Sequence, residues 1–536
     1  MSEIKLLDCT LRDGGYVNDW EFGHDNLVSI FERLVSSKVN IIEVGFLDDR
    51  RPFDMNRSIM PDTDCVNKIY GDIGKEESMV VGMIDYGTCS IDHLSKCENS
   101  YLDGIRVIFK KHIRNEAIAF CKQVKDLGYK VFTQAVSITS YSDEEFLDLI
   151  RLVNELEPYA LSVVDTYGLL HQNHLMHYIE LMDYNLKPTI GMGYHSHNNF
   201  QLGYANCIEV MGYKTDRMVL VDGTLYGMGK SAGNTPLELL AMYLNNNYKC
   251  HYDVSQMLEA IDSNVMNIYS QHPWGYNMFF YVSASNDCHP SYVKYLMDKH
   301  TLSIKSINEI LEKLQGEKKL LYDKSYIERL YTDYQNGNLQ DDVTLANLRT
   351  LFSNRPILVL GPGKNFSLEQ DHISKYIEEY HPITVAINFI PETISIDYLF
   401  LSNSKRYVQL ATRLLKKQDQ IKVIATSNVT KTKGEFDYTL DYSSLLDNEG
   451  EIPDNSFVMF MKAMVRLGIR QISAAGFDGY SLSTGNNYFM RSMEYPFNKT
   501  SAEHVNRQVK DNLKKMKDLL SVKFITDSVY VDGDAQ

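Results

Sequence analysis

Ile4-Lys5-Leu6-Leu7-Asp8-Cys9-Thr10, then Asp25-Asn26-Leu27-Val28-Ser29-Ile30-Phe31-Glu32-Arg33-Leu34-Val35, then Ile41-Ile42-Glu43-Val44-Gly45-Phe46, decide how this chain is built. The outer two runs are short, apolar and β-branched, as buried strands are. The middle run spaces its apolar residues as one face of a helix does. Strand, helix, strand predicts a parallel pair joined by a right-handed crossover. The same alternation continues, with strands expected at Met79–Asp85, Gly104–Phe109, Lys130–Ser137, Ala160–Asp165, Thr189–His197 and Met218–Gly223. Eight such units in about 240 residues are the arithmetic of a (β/α)8 barrel. An open doubly wound sheet is the alternative, but it needs edge strands that nothing in the pattern marks.

Residues 1–250 are therefore expected to form the barrel. Residues 251–345 read as a helical extension, with apolar stripes at Ser303–Leu314 and Tyr326–Tyr334. A second α/β unit, Rossmann-like, is expected over 355–536. It opens with Pro356-Ile-Leu-Val-Leu360 and the turn Gly361-Pro362-Gly363, and Ser367 with Gln370 fits a capping box for a helix running to Tyr380. Further strands are expected at Ile383–Asn388, Tyr398–Ser402, Lys422–Ser427 and Gln471–Ala475, followed by a terminal helix from Ser501 to about Leu520.

The chain has 536 residues, 44% hydrophobic and 23% charged, which is globular composition. A net charge of -16 argues against a nucleic-acid or anionic-membrane binder. No run is long and apolar enough for a transmembrane helix. A cleaved leader is not expected, since its removal would delete Arg12-Asp13. The eight cysteines lack Cys-x-x-Cys spacing, so reduced thiols and a cytoplasmic location are expected.

Three separated segments carry chemistry together. They are Leu7-Asp-Cys-Thr-Leu-Arg12-Asp13-Gly14-Gly15, then Gly193-Tyr-His195-Ser-His197-Asn198-Asn199, then Asp222-Gly-Thr-Leu-Tyr-Gly-Met-Gly-Lys-Ser-Ala-Gly233-Asn234. Side chains two apart on a strand share a face, so His195 and His197 aim at one point at the barrel mouth. Asp13, at the end of strand one, can reach that point, because only strand eight lies between strands one and seven. Two imidazoles and one carboxylate leave open positions, the pattern of a catalytic divalent metal. Alone, His-x-His or Arg-Asp-Gly is a weak signal, and its bland reading is a polar strand end or a surface turn.

These segments, with Gly227-Met-Gly-Lys-Ser-Ala-Gly-Asn234, resemble the DRE-TIM metallolyases over about residues 1–250. That superfamily of TIM barrels includes 4-hydroxy-2-oxovalerate aldolase, hydroxymethylglutaryl-CoA lyase and isopropylmalate synthase. Arg12-Asp-Gly-Gly-Tyr16, Trp274-Gly-Tyr276 and Cys288-His-Pro290 are most similar to the hydroxy-oxovalerate aldolase-like branch. The resemblance implies a carbon–carbon lyase working through a metal-bound enolate of pyruvate or another 2-oxo acid. Its partner would be an aldehyde, sugar-derived if the second domain takes part. Asp13, His195 and His197 would hold the metal, with Asn234 as a further contact. Mn²⁺ is the first expectation, with Mg²⁺, Co²⁺ or Zn²⁺ as alternatives. Arg12 would hold the carbonyl or enolate oxygen, where a fixed guanidinium stabilises developing negative charge. Glu43 is a candidate for orienting Arg12 or metal-bound water, Asp165 has similar standing, and Asp222 would brace a histidine. A homo-oligomer is expected. Where the aldolases carry a histidine base three residues after the Asp, this chain has Tyr16. A phenol of pKa about 10 is a poor base at neutral pH, so Tyr16, His24 and His289 all remain candidates for proton transfer. The alternatives are a Claisen-type acyl-CoA synthase and a non-catalytic barrel regulating a nucleotide-handling second domain.

In that second domain, Gly361 and Gly363 before a helix, and Lys405-Arg406 after a strand, form a candidate phosphate site for a nucleotide or phosphosugar. The motif is neither Gly-x-Gly-x-x-Gly nor a P-loop, and a tight strand–helix turn is its bland reading.

Overall fold

The computed structural model describes residues 3–531 apart from 300–301, 320–321, 336–338, 417–419, 431–435, 448–452, 482–486, 491–492 and 494–498. The chain divides into two compact units, Met1–Pro290 and Ser291–Gln536. Of the segment expected as a helical extension, residues 251–290 thus fall in the first unit and 291–345 in the second.

Among the described residues, the first unit is an eight-stranded parallel barrel. Its strands are β1 (Ile4–Asp8), β2 (Ile41–Leu47), β3 (Met79–Asp85), β4 (Gly104–Phe109), β5 (Lys130–Ala135), β6 (Ala160–Asp165), β7 (Gly191–Ser196) and β8 (Val219–Gly223). Each pairs with its sequence neighbour, and β1 closes the ring by pairing with both β2 (Leu7 beside Ile41) and β8 (Leu7 beside Asp222). A two-residue strand, Ile59–Met60, is added outside β2. The helices cover the outer face, and Leu27, Ile30, Phe31 and Leu34 of the His24–Ser36 helix are all buried there.

The interior is layered, as period-two alternation requires. Leu7, Ile41, Val81, Phe132, Ala160 and Leu220 form an apolar plug. Two residues after Leu7, Ile41, Phe132 and Leu220 stand Cys9, Glu43, Gln134 and Asp222, and Arg106 of β4 and His195 of β7 join them. One pleat therefore separates a dry floor from a charged layer, and the charged layer sits toward the carboxyl ends, where this fold builds its sites.

The second unit carries a seven-stranded, all-parallel sheet among its described residues. Its strands are β9 (Ile357–Leu360), β10 (Ile383–Ile387), β11 (Tyr398–Leu401), β12 (Lys422–Thr426), β13 (Tyr438–Leu440), β14 (Gln471–Ala475) and β15 (Ser521–Phe524), in the order β13-β12-β11-β10-β9-β14-β15. The order reverses between β9 and β14, where open sheets of this kind form a crevice. Two details differ from expectation. The helix expected from Ser367 begins at Lys364, breaks at Glu369 and restarts as Gln370–Tyr380, with no side-chain cap. β13 and β15 were not expected, although Ser521-Val-Lys-Phe alternates as a half-exposed edge strand does.

Candidate active site

Residues Thr10–Asp13 leave β1 as one helical turn, which swings Arg12 and Asp13 inward over the barrel. Arg12, Asp13, Glu43, Arg106, His195, His197, Asp222 and Asn234 meet there, none more than 5% exposed. Arg12 Nε donates to Glu43 Oε2 at 2.7 Å, and Arg12 Nη1 donates to Asp13 Oδ2. Arg106 reaches across the barrel to pair with Glu43 at 3.0 Å and to donate to Asp222 Oδ2. Asp222 Oδ2 in turn accepts from His195 Nδ1 at 2.9 Å, and His195 Nε2 lies 3.4 Å from Asp13 Oδ2. The contacts close a circuit: Arg12, Glu43, Arg106, Asp222, His195, Asp13 and back to Arg12.

The two imidazoles are oriented alike. His195 Nδ1 is committed to Asp222, and His197 Nδ1 donates to the Asp165 carbonyl oxygen at 3.1 Å. Each ring therefore turns an Nε2 lone pair toward Asp13, the way a carboxylate or a carbonyl braces a metal-ligating histidine. Ligand atoms of Asp13, His195 and His197 all lie within 4.8 Å of one another. His197 Nε2 and Asn234 Oδ1 are buried with no hydrogen-bond partner. Two guanidiniums against three carboxylates leave the cluster with an excess negative charge. Unsatisfied acceptors, paired lone pairs and negative charge fit a divalent cation with mixed nitrogen and oxygen ligation. A second grouping, Cys9 with His195 and Asp222, does not compete. Burial pushes the Cys9 thiol well up, and it donates to the Gly223 carbonyl.

Electrostatics sharpen these assignments. Burial pushes the Asp13 carboxyl upward, but Arg12 and the two histidines outweigh it and hold it well below the usual carboxylate range. Burial lowers both imidazoles; the neighbouring Asp13 and Asp222 carboxylates bring His195 to a net rise, while His197 stays low. Asp165 differs from expectation. Its carboxylate caps the following loop through the amides of Leu169 and Leu170, at 2.8 and 3.0 Å, and burial pushes its carboxyl up to about 6. It is the Asp165 backbone carbonyl that supports His197.

Tyr16 lies beside the cluster in the turn Gly15–Asn18, packed edge-on against Trp20 at 4.8 Å. Trp20 Nε1 anchors this turn on the Arg12 carbonyl at 2.8 Å. Burial and the Asp13 charge push the Tyr16 phenol above its ordinary value. His24 simply begins the His24–Ser36 helix, with its amide on Asn56. Gly229 is where the loop after β8 meets the site. A Cβ there would stand 2.2 Å from Asn234 Oδ1 and 2.8 Å from Asp13 Oδ1, so only glycine fits. The next residue, Lys230, fastens that loop through its amide, which donates to Asp13 Oδ1 at 3.0 Å.

Residues 3–263, just under half of the chain, match the HMGL-like family model. This barrel is an HMGL-like domain. The 4-hydroxy-2-oxovalerate aldolase of Shewanella halifaxensis is 24% identical over 273 residues, covering 49% of this chain and 78% of its own length. The oxaloacetate decarboxylase of Mycobacterium tuberculosis is 22% identical over 286 residues, covering 52% and 82%. Among solved structures, the N-terminal domain of a candidate aldolase from Bacteroides vulgatus aligns with 57% of this chain and 99% of its own, at 22% identity and a TM-score of 0.47. The HMGL-like domain makes this chain an enzyme of the lyase and aldolase kind.

The candidate phosphate site of the second unit is arranged differently. Asp478 Oδ2 accepts from the Asn365 amide at 2.9 Å, and the Lys364 amide also bonds this carboxylate. The helix start that would face a phosphate already faces a protein carboxylate. A Cβ on Gly363 would lie 2.5 Å from Asp478 Oδ1 and 2.6 Å from the Gly476 carbonyl, and one on Gly361 would lie 2.5 Å from that same carbonyl. The two glycines thus serve the close approach of the 476–478 loop. Arg406 is buried and donates to the Met493 carbonyl at 2.7 Å, while Lys405 lies in the first turn of the Ser404–Lys416 helix.

Two residues of the first unit escaped the sequence reading. In the sequence Arg106 reads only as part of a strand, and Lys230 only as part of the glycine-rich loop. Arg106 was findable. It lies two residues after Gly104, in step with Glu43 two after Ile41 and Asp222 two after Leu220.

Proposed function

We propose that the barrel is a divalent-metal-dependent aldolase that makes or breaks a C–C bond beside the enolate of pyruvate or another 2-oxo acid, with an aldehyde as partner. The convergence of Asp13, His195 and His197 around unsatisfied buried acceptors carries this reading. Asp13, His195 and His197 would hold the metal, with Asn234 Oδ1 as a fourth donor, and Mn²⁺, Mg²⁺, Co²⁺ and Zn²⁺ all suit this set. A bound divalent ion supplies a Lewis acid that polarises a carbonyl oxygen.

Arg12 adds a fixed positive charge at the same place. Its Nε and Nη1 are committed to Glu43 and Asp13, whereas Nη2 has no hydrogen bond among the described residues. A guanidinium pinned on two sides presents its third nitrogen to an enolate oxygen without reorganising. Glu43 and Arg106 keep it pinned. Tyr16 Oη remains protonated through the neutral range, so it serves as a proton donor to the aldehyde-derived alkoxide rather than as a base.

The decarboxylase named among the relatives favours a second reading, since loss of CO₂ from oxaloacetate leaves the same pyruvate enolate. One experiment tests the common step. Metal-loaded protein is incubated with pyruvate in D₂O and the methyl signal is followed by NMR. Metal-dependent exchange that disappears in Asp13→Asn is the expected result. No exchange, together with metal retention indifferent to His195→Ala, would sink the proposal. Product analysis with oxaloacetate alone, and with pyruvate plus aldehydes, separates the two readings.

A further inference from the structure

Lys230 and Lys110 rise from opposite walls of the barrel mouth. Lys230 follows β8, and Lys110 follows β4, four strands away around the ring. The Lys230 backbone is fixed on Asp13, and its ammonium lies 5.4 Å from the centroid of the Tyr16 ring. That ring stands on Trp20 and Phe46, so the lysine extends along an aromatic wall. Neither ammonium has a hydrogen bond or an ion pair among the described residues.

Lys110 leaves β4 on the same carboxyl-end face that the Lys230 loop overhangs. Burial lowers Lys230, with Asp13 opposing and with Arg12 and Lys110 assisting. Burial also lowers His289, and both lysines push it further the same way. Besides Asp13, the carboxylate acting on both lysines is Asp85. Burial raises it, Lys110, Arg50 and Lys230 pull it down, and it forms no ion pair with either lysine within 4.0 Å. Arg50 is spoken for by both oxygens of Asp48, at 2.7 and 2.6 Å. Lys230, half-buried beside the reaction centre, and the exposed Lys110 at the end of β4 thus put two cations without an ion pair among the described residues on the rim of the barrel mouth, where an entering anion would meet them.

We propose that Lys230 and Lys110 anchor an anionic group, a carboxylate or a phosphate, carried by the aldehyde partner at the end away from its carbonyl. The assignment rests on the aldolase reading above and specifies its second substrate. Arg12 and the metal ligands lie deeper than the lysines, so the 2-oxo acid fills the inner position and the charged tail of the aldehyde reaches the mouth. The half-buried Lys230 ammonium can give such a tail a charge-assisted hydrogen bond, and the exposed Lys110 adds attraction at the rim.

The test compares matched aldehydes with pyruvate as donor: succinic semialdehyde against butanal, and glyceraldehyde 3-phosphate against glyceraldehyde. The quantity read is the ratio of kcat/KM for the charged over the neutral member. The native protein should favour the charged member of at least one pair by about tenfold or more, the worth of one hydrogen bond to an ion. Which pair shows it tells a carboxylate from a phosphate. Lys230→Met should collapse that ratio, Lys230→Arg should restore most of it, and Lys110→Met should reduce it less. A merely structural lysine would lower both rates and leave the ratio alone. Pyruvate–deuterium exchange without aldehyde is run beside each variant. Exchange in the native protein with no preference for charge overturns the anchor and spares the aldolase. A rise in the pyruvate KM of Lys230→Met matching the fall in the ratio places the lysine on the pyruvate carboxylate instead, and also overturns the assignment. Absence of both exchange and aldol product removes the aldolase reading and the anchor with it.

Discussion

The carboxyl ends of the two sheets are furnished in opposite ways. In the barrel they hold Asp13, Glu43, His195 and Asp222 with two arginines, and they leave His197 Nε2 and Asn234 Oδ1 unsatisfied. In the second sheet they hold neutral groups that satisfy one another. Asn388 donates to Ser456 Oγ at 2.8 Å, Ser402 Oγ donates to the same oxygen at 2.9 Å, and the Ser402 amide donates to Asn388 Oδ1 at 3.1 Å. The charged residue at the switch point, Asp478, spends Oδ2 on a backbone amide and keeps a buried Oδ1 without a hydrogen bond, a lone acceptor with none of the convergent imidazoles and carboxylates of the barrel. Both folds place their strand ends where ligands commonly bind. Position alone is therefore weak evidence of a site, and buried groups left with bonding capacity are stronger evidence.

The largest expected effect falls on that contrast. His197→Ala should lower pyruvate exchange by about 10³-fold or more and abolish stoichiometric metal after dialysis, whereas Asp478→Asn should leave exchange within about twofold. Comparable losses in both variants would mean that the strand ends of the second sheet take part in the chemistry. Next is Arg106. Replacing it by Met leaves Glu43 and Asp222 buried without their shared cation, a cost of about 3–5 kcal/mol in urea unfolding, and Arg106→Lys should recover only part.

A pH experiment separates the units further, because the barrel carries ionisable strand ends. Burial pushes the Asp8 carboxyl up to about 7, against hydrogen bonds from Thr10 that pull it down. Between the unfolded value of about 4 and that folded value, the folded state binds more protons than the unfolded one. Its stabilising contribution is thus complete below about pH 4 and is lost as pH rises through about 7. Asp8→Asn should flatten this slope in urea unfolding followed by barrel fluorescence; an unchanged slope would assign it to other groups. The smallest effect belongs to the filled crevice. Gly363→Ala should cost about 1–3 kcal/mol by collision with Asp478 and the Gly476 carbonyl. A neutral outcome would show that the 476–478 loop yields easily, and would reopen that crevice to a ligand.

Much of the barrel was legible because its signals are local. Runs such as Met79–Asp85, Gly104–Phe109 and Ala160–Asp165 announce strands by composition, and the structure keeps those bounds. Arg12, Asp13, His195, His197 and Asn234 were legible because each sits inside a short motif at a strand end. What stayed hidden depended on residues far apart in sequence. Asp478 reaches the turn at Gly361–Gly363 from more than a hundred residues away, and no local pattern reports that a protein carboxylate takes the place of a phosphate. Asp165 was singled out for its carboxylate, yet its carbonyl oxygen touches His197, and main-chain geometry is invisible in a side-chain motif. Lys230 carries no signal within the glycine-rich loop, since an exposed lysine and one held over a ring look identical in sequence.

The circuit through Arg12, Glu43, Arg106, Asp222, His195 and Asp13 draws on β2, β4, β7 and β8 and on the turn after β1. The seam between β1 and β8 joins residues more than two hundred positions apart, the kind of contact that a folding chain makes late. Until that seam zips, Asp13 and the histidines belong to separate ends of an unclosed ribbon. On the proposed metal-dependent reading, metal uptake would then serve as a clock for ring closure: during refolding, the moment at which a divalent ion became resistant to a chelator would mark the moment at which the barrel becomes a barrel.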